Sequence, residues 1–210
     1  LNLDALKSLS FVKGRQAIIG SGFEPSIHPQ FNRLIDILNA NQNRIELLTN
    51  GTRLDRVDVP ALYDSDFSAI TFSFDGVRKK SYEKIRRNAT FEKTVANIES
   101  FRSFFSGRDF PFAINSTVMR TNLDETWETV AFWDERDFDM LRLIMMVVRD
   151  SNAELIRESL WPIRDYAFHV FDSAAERLIA EKRRIALRCA WFQYSSLRSI
   201  YPDNFDSCLL

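Results

Sequence analysis

Hydrophobic positions along this chain switch between two periods. Gln16 to Gly20 is a short aliphatic run closed by a glycine and predicts a strand; Gln30 to Asn41 carries Phe31, Leu34, Ile35 and Leu38 at helical spacing behind His28-Pro29. Arg44 to Leu48 predicts a second strand, ending in "TNGT", and Pro60 introduces at most a short helix over Ala61 to Asp66. In "SAITFSFDG", Ser68 to Gly76, the residues Ile70, Phe72 and Phe74 alternate with Thr71 and Ser73, a strand pattern closed by an Asp-Gly turn. Phe91 to Phe105 then places Phe91, Val95, Ile98, Phe101 and Phe105 on one stripe of a helix. Phe112 to Met119 predicts a fourth strand, Asp124 to Trp133 a helix, and Met140 to Val148 a buried fifth strand.

Five strands alternating with helices through short loops imply the α/β class, with parallel strands joined by right-handed crossovers. After residue 150 the pattern changes. Asn152 to Leu160 and Pro162 to Ile185 predict helices, and the tail "CAWFQYSSLRSIYPDNFDSCLL" reads as β-like or irregular. The expected organisation is a barrel-like α/β domain over 1–150, a helical linker packing on it over 151–188, and a short cysteine-bearing extension over 189–210.

Composition narrows the partners. The 28 basic and 29 acidic side chains nearly cancel, leaving no bulk field to recruit nucleic acid or an anionic membrane. No apolar run reaches the roughly 18 residues of a spanning helix; the stretch from Met140 is interrupted by Arg142. The first residues lack the pattern of a secretory signal, and only Cys189 and Cys208 occur as cysteines, so a reducing cytoplasm is the expected compartment.

In parallel α/β folds, chemistry gathers at the C-terminal ends of the strands. The polar residues there are Glu24, Asn50, Ser73 and Asp75, then Arg120 and Asn122, then Arg149 and Asp150. Singly, each has a plain structural role: Asn-Gly and Asp-Gly are ordinary turn pairs, Asn122 suits a helix cap, and Arg149 suits a solvated rim. Their joint placement on one rim is the informative feature. His28, before a proline at a helix start, fits capping, and His169 fits a structural position in a helix.

The ordered segments resemble the radical S-adenosylmethionine (SAM) superfamily. "GFEPSIHPQF" is similar to the family's Gly-Gly-Glu-Pro turn with its trailing His-Pro, "IELLTNGT" to the next strand, and "ITFSFDG" to its Ser-Leu-Asp-Gly strand end. "SYEKIRRNATFEKTVANIESF" and "STVMRTNLDE" are similar to the following helix and strand, so the resemblance covers about residues 15 to 150. It implies a partial (β/α) barrel, here incomplete at its N-terminal strand, that binds SAM and a [4Fe–4S] cluster at the strand ends. A 5′-deoxyadenosyl radical formed from SAM would abstract hydrogen from a substrate, a peptide or protein among the candidates, with an electron donor protein as partner.

Site residues follow from the same resemblance. Gly22, Phe23 and Glu24 would receive the methionyl ammonium of SAM, Ser73 its ribose or methionine part, and Arg86 or Arg87 its carboxylate. Asn122 and the backbone near Val147 would lie toward the nucleoside. Phe23 stands where the family has a second glycine. The family's C-x-x-x-C-x-x-C loop is absent; "LNLDALKSL" resembles the helix that follows it, so a truncated copy is expected, inactive alone and prone to aggregate at an unpaired sheet edge. The tail resembles the opening of a SPASM or twitch-type extension, which would make Cys189 and Cys208 ligands of an auxiliary cluster; without that resemblance they are two unrelated thiols. The alternative function is a degenerate barrel acting as a non-catalytic binding module. A hydrolase reading has little support, because no Gly-x-Ser-x-Gly elbow or glycine-rich phosphate loop occurs.

Overall fold

A computed structural model describes residues 3–8, 13–148 and 152–189. Arg149, Asp150 and the tail from residue 190, Cys208 included, lie outside the described residues. In chain order the elements are α1 (Leu3–Ser8), β1 (Gln16–Ile19), α2 (Phe31–Ala40), β2 (Arg44–Thr49), β3 (Phe67–Ser73), α3 (Lys79–Ile85) and α4 (Phe91–Phe104). They continue with β4 (Phe112–Val118), α5 (Thr126–Asp134), β5 (Met140–Met145), α6 (Ala153–Glu158), α7 (Arg164–Ala180) and β6 (Ala186–Cys189). The strands form one six-stranded parallel sheet in sequence order, β1 to β6, and the sheet is open. This is the expected α/β partial barrel, with one strand more than the hydrophobic pattern shows.

By contacts the chain divides into two units, residues 1–73 with 89–112, and residues 74–88 with 113–210. In the first, the face of α2 that carries Phe31, Ile35 and Leu38 is buried, as the helical spacing requires, and Ile45, Leu47 and Ile70 are fully enclosed. The stripe on α4 packs as an aromatic cluster. Phe101 meets Phe72 edge-on at 6.1 Å, and Phe105 meets Phe67 edge-on at 5.8 Å, geometry that suits the ring quadrupoles. β1 pairs with β2 and is an edge strand, with Ile18 exposed.

In the second unit Phe74 stacks on Tyr82 at 4.2 Å and meets Trp133 edge-on at 5.1 Å, so α3 and α5 share one aromatic anchor. The sixth strand begins at the carboxylate of Asp134, whose Oδ1 accepts the backbone N–H groups of Arg184 and Ile185, both at 2.9 Å. Ala186 to Cys189 then pairs with Met140 to Leu143, where the sequence pattern carried helix up to Ile185. No described helix is long and apolar enough to cross a membrane.

Candidate functional site

The first unit builds its corner around a glycine that no other residue can replace in place. Gly20 has φ +96°, and a Cβ there would stand 1.9 Å from the carbonyl oxygen of Leu48, so β1 and β2 approach too closely for any side chain. Gly22, by contrast, has an ordinary φ and open space around it. Phe23, the residue that departs from the pattern the sequence resembles, is 71% exposed.

Glu24 is tied down. Its Oε1 accepts from the Ser26 amide at 3.0 Å, the Ser26 hydroxyl at 2.5 Å and the Thr49 hydroxyl at 2.7 Å, while Oε2 accepts from the Asn50 amide at 2.5 Å. The carboxylate thus caps the short 3₁₀ turn at Pro25–Ile27 and bridges to the end of β2. The carbonyls of Ser21, Gly22 and Phe23 accept no hydrogen bond among the described residues. In the same unit Ser73, half-buried at the end of β3, also has no side-chain partner among the described residues. His28 Nδ1 accepts the Gln30 amide at 3.1 Å, which closes the turn ahead of α2.

The second unit gives the two arginines different surroundings. Arg86 Nε lies 2.6 Å from Oδ2 of the buried Asp75, and its side chain is 28% exposed. The contact is ionic, since the N–H is not aligned with the carboxylate. Asp75 Oδ1 accepts the Thr117 amide at 2.6 Å, which fixes the acid to β4. Arg87 instead reaches Glu154 at 3.3 Å in a pair that is about four-fifths exposed on both sides (80% and 78%); such pairs contribute little to stability.

Asn122 is buried and uses both ends of its amide within its own loop, Oδ1 accepting from the Met119 amide at 2.8 Å and Nδ2 donating to the Thr117 carbonyl at 2.9 Å. Its role here is to fold the end of β4 rather than to cap α5. Glu125, which the sequence reading passed over, is buried and accepts the Val77 and Arg78 amides at 2.9 and 3.1 Å, holding the Asp75-Gly76 turn. Val147 stands exposed just past β5.

A pocket of about 670 Å³ opens beside these loops, floored by Ile85, Met119 and Met146, with Lys84, Thr121 and Glu158 on its rim. Glu158 accepts from Lys84 at 3.0 Å and from the Thr121 hydroxyl and amide at 2.6 and 2.8 Å. Partial burial raises its affinity for a proton, but the hydrogen bonds from Thr121 and Lys84 outweigh that and hold its pKa below the ordinary 4.5.

Metal-binding capacity is a separate matter. Among the described residues no three His, Cys, Asp or Glu side chains gather as a metal site, and the one described thiol is Cys189. Burial, with the charge of Asp172 adding, pushes that thiol up to about 12, so it is protonated at neutral pH. The described residues therefore do not fit an iron–sulfur cluster, which needs a set of thiolates.

The family model for the radical SAM superfamily matches residues 2–133, well over half of the chain. The chain belongs to the radical SAM superfamily. Several curated proteins are similar in sequence. The AdoMet-dependent heme synthase of Methanosarcina barkeri is 33% identical over 117 residues, 55% of this chain and 32% of that protein. The mycofactocin maturase MftC of Mycolicibacterium smegmatis is 29% identical over 180 residues, 85% of this chain and 43% of that protein. The radical SAM chain spans less than half the length of the curated relatives it matches. Streptococcus suis SuiB bound to S-adenosylmethionine shares the fold, with a TM-score of 0.65 at 11% identity over 83% of this chain and 38% of its own. The same protein has been solved with its precursor peptide SuiA, at a TM-score of 0.62 and 12% identity over 83% of this chain and 37% of its own.

Proposed function

We propose that this chain is the SAM-binding core of a radical SAM enzyme that modifies a peptide. The observation that carries the reading is the Glu24 corner. SAM's ammonium has three N–H groups to satisfy, and the corner offers the unused carbonyls of Gly22 and Phe23 beside the fixed Glu24 carboxylate. Glu24 orients that backbone, and its charge favours the cation. Ser73 contributes a hydroxyl without a competing partner among the described residues.

In the second unit, Asp75 holds Arg86 by its Nε, and the guanidinium makes no hydrogen bond of its own among the described residues. That suits a planar fork for the methionine carboxylate. The pocket floored by Met119 and Met146 offers apolar surface for a nucleoside, with Asn122 and Val147 at the neighbouring loop ends. Bound SAM would supply the 5′-deoxyadenosyl group for hydrogen abstraction, as membership in the superfamily implies; the cluster this requires has no ligand set among the described residues. The peptide substrate is supported by the mycofactocin maturase and by SuiB with its precursor peptide.

Calorimetric titration with SAM tests the binding step without any reaction. Saturable binding that weakens at least about tenfold in Glu24→Ala and in Arg86→Gln is expected, since each removes a charge-assisted contact. Absence of SAM binding in this chain and in any longer form of the protein would leave only the non-catalytic module. Anaerobic reconstitution with iron and sulfide, followed by 5′-deoxyadenosine measurement after dithionite, separates an enzyme from a SAM-binding scaffold.

A further inference from the structure

A second pocket in the first unit, about 520 Å³, is lined by His28, Arg53, Arg56 and Asn32 among others, with Ile27 and Val57 as apolar walls and no carboxylate in the lining. Neither guanidinium, of Arg53 or of Arg56, makes a hydrogen bond or a direct ion pair among the described residues, although the charge of Asp55 is felt at Arg56. The nearby acids are engaged elsewhere: Asp55 pairs with Lys93 at 2.9 Å, and Asp58 Oδ1 accepts the Ala61 amide at 3.4 Å. The lining therefore carries two guanidinium groups and no carboxylate in a concavity, where a charged lining concentrates counter-ions.

His28 adds a directed donor. Because Nδ1 accepts the Gln30 amide, the neutral ring carries its proton on Nε2, which is left to donate. The adjoining α2 begins without a side-chain cap and without an acid in its first turn, so its positive end is not neutralised locally. Two forks and an imidazole N–H converging from different segments suit a tetrahedral dianion better than a planar carboxylate, which would leave one guanidinium uncompensated.

We propose that this pocket binds a phosphate group, carried by a small phosphomonoester whose organic part rests on Ile27 and Val57. The site is independent of SAM, which has no phosphate. The test is calorimetric titration of the full chain with inorganic phosphate, with AMP and with acetate at low ionic strength. Phosphate and AMP should bind one to one and acetate not measurably; AMP should bind more tightly than phosphate, and equal affinities would overturn the ester while keeping a free-phosphate site. Arg53→Gln and Arg56→Gln should each weaken binding about tenfold, as loss of one charge-assisted contact does, and the double variant should abolish it. His28→Asn, which keeps an acceptor for the Gln30 amide but lacks the Nε2 donor, should weaken binding by a smaller factor. Lys13→Gln, an exposed cation outside the lining, should change nothing. Unchanged affinity in the Arg53→Gln/Arg56→Gln variant, with wild-type circular dichroism, would sink the proposal, as would failure of both phosphate and AMP to saturate by about 10 mM.

Discussion

Replacing Glu24 by Gln isolates what the carboxylate does in the corner. The amide oxygen of Gln can take over the Oε1 position, where Ser26 and Thr49 donate, but its NH₂ must then face the Asn50 amide, which is also a donor. One charge-assisted bond is lost and a donor–donor contact replaces it. Such a bond contributes about 1.5–3 kcal/mol when both groups are shielded. Glu24 is half-buried, so water offsets part of the loss and about 2 kcal/mol is expected. That corresponds to about a 30-fold drop in hydrogen-exchange protection at the Asn50 amide, measurable residue by residue by NMR. Glu46→Gln, which alters an exposed contact with Gln16, is the control and should stay within about 0.5 kcal/mol. Unchanged Asn50 exchange in Glu24→Gln would refute the bridging role, and with it the idea that the acid orients the backbone around it.

The two glycines of the corner should behave differently. Gly20→Ala forces a left-handed alanine against the Leu48 carbonyl and should cost about 3 kcal/mol or more in chemical denaturation, whereas Gly22→Ala, with open space around it, should be nearly neutral. Cys189, with its thiol pushed up to about 12 against a reference value of 9.0, should be alkylated by iodoacetamide about a thousandfold more slowly than a free thiol near pH 8, in a Cys208→Ser background; rapid labelling would contradict the raised thiol. Glu158 binds protons less readily folded than unfolded, so its contribution to stability is complete above its ordinary pKa of 4.5 and is lost as pH falls through the lower folded value. Protection factors in α6, exchange normalised to the intrinsic rate at each pH, should therefore fall in acid below that point, and Glu158→Gln should remove that fall.

The first five strands were legible because each is a short apolar run, and packing within each unit agrees with that local signal. The sixth was not. α7 ends at Ala180 through a backbone reversal at Lys182, φ +53°, with the Arg183 amide bonded back to the Leu178 carbonyl at 3.1 Å. Helices commonly end this way at a glycine, but here a lysine inside "EKRRI" occupies the position, and basic residues also suit the last turn of a helix. The signal that starts β6 lies 50 residues upstream, in the Asp134 carboxylate that gathers the Arg184 amide. No periodicity reports a contact of that range.

The same distinction applies to the candidate site. The strand-end positions of Glu24, Ser73 and Asp75 were readable, since each follows an apolar run. Their partners were not. Arg86 and Arg87 are neighbours, and α3 ends at Ile85, so helical spacing assigns neither to a face; only Asp75, buried and fixed by the Thr117 amide, draws Arg86 toward itself. Glu24 has long-range partners that its sequence neighbours do not announce. A charged group in a glycine corner looks like the ligand's own partner, yet Thr49 and Asn50, 25 and 26 residues downstream, already hold its carboxylate. An acid that bridges two strand ends keeps the adjacent carbonyls still, so backbone acceptors with no side chain to read are the better candidates for meeting a cation. The experiment that separates the two roles is Glu24→Gln combined with Thr49→Val: if Glu24 acts through the bridge, the two changes should be less than additive in SAM affinity, whereas full additivity would return the contact to the carboxylate itself.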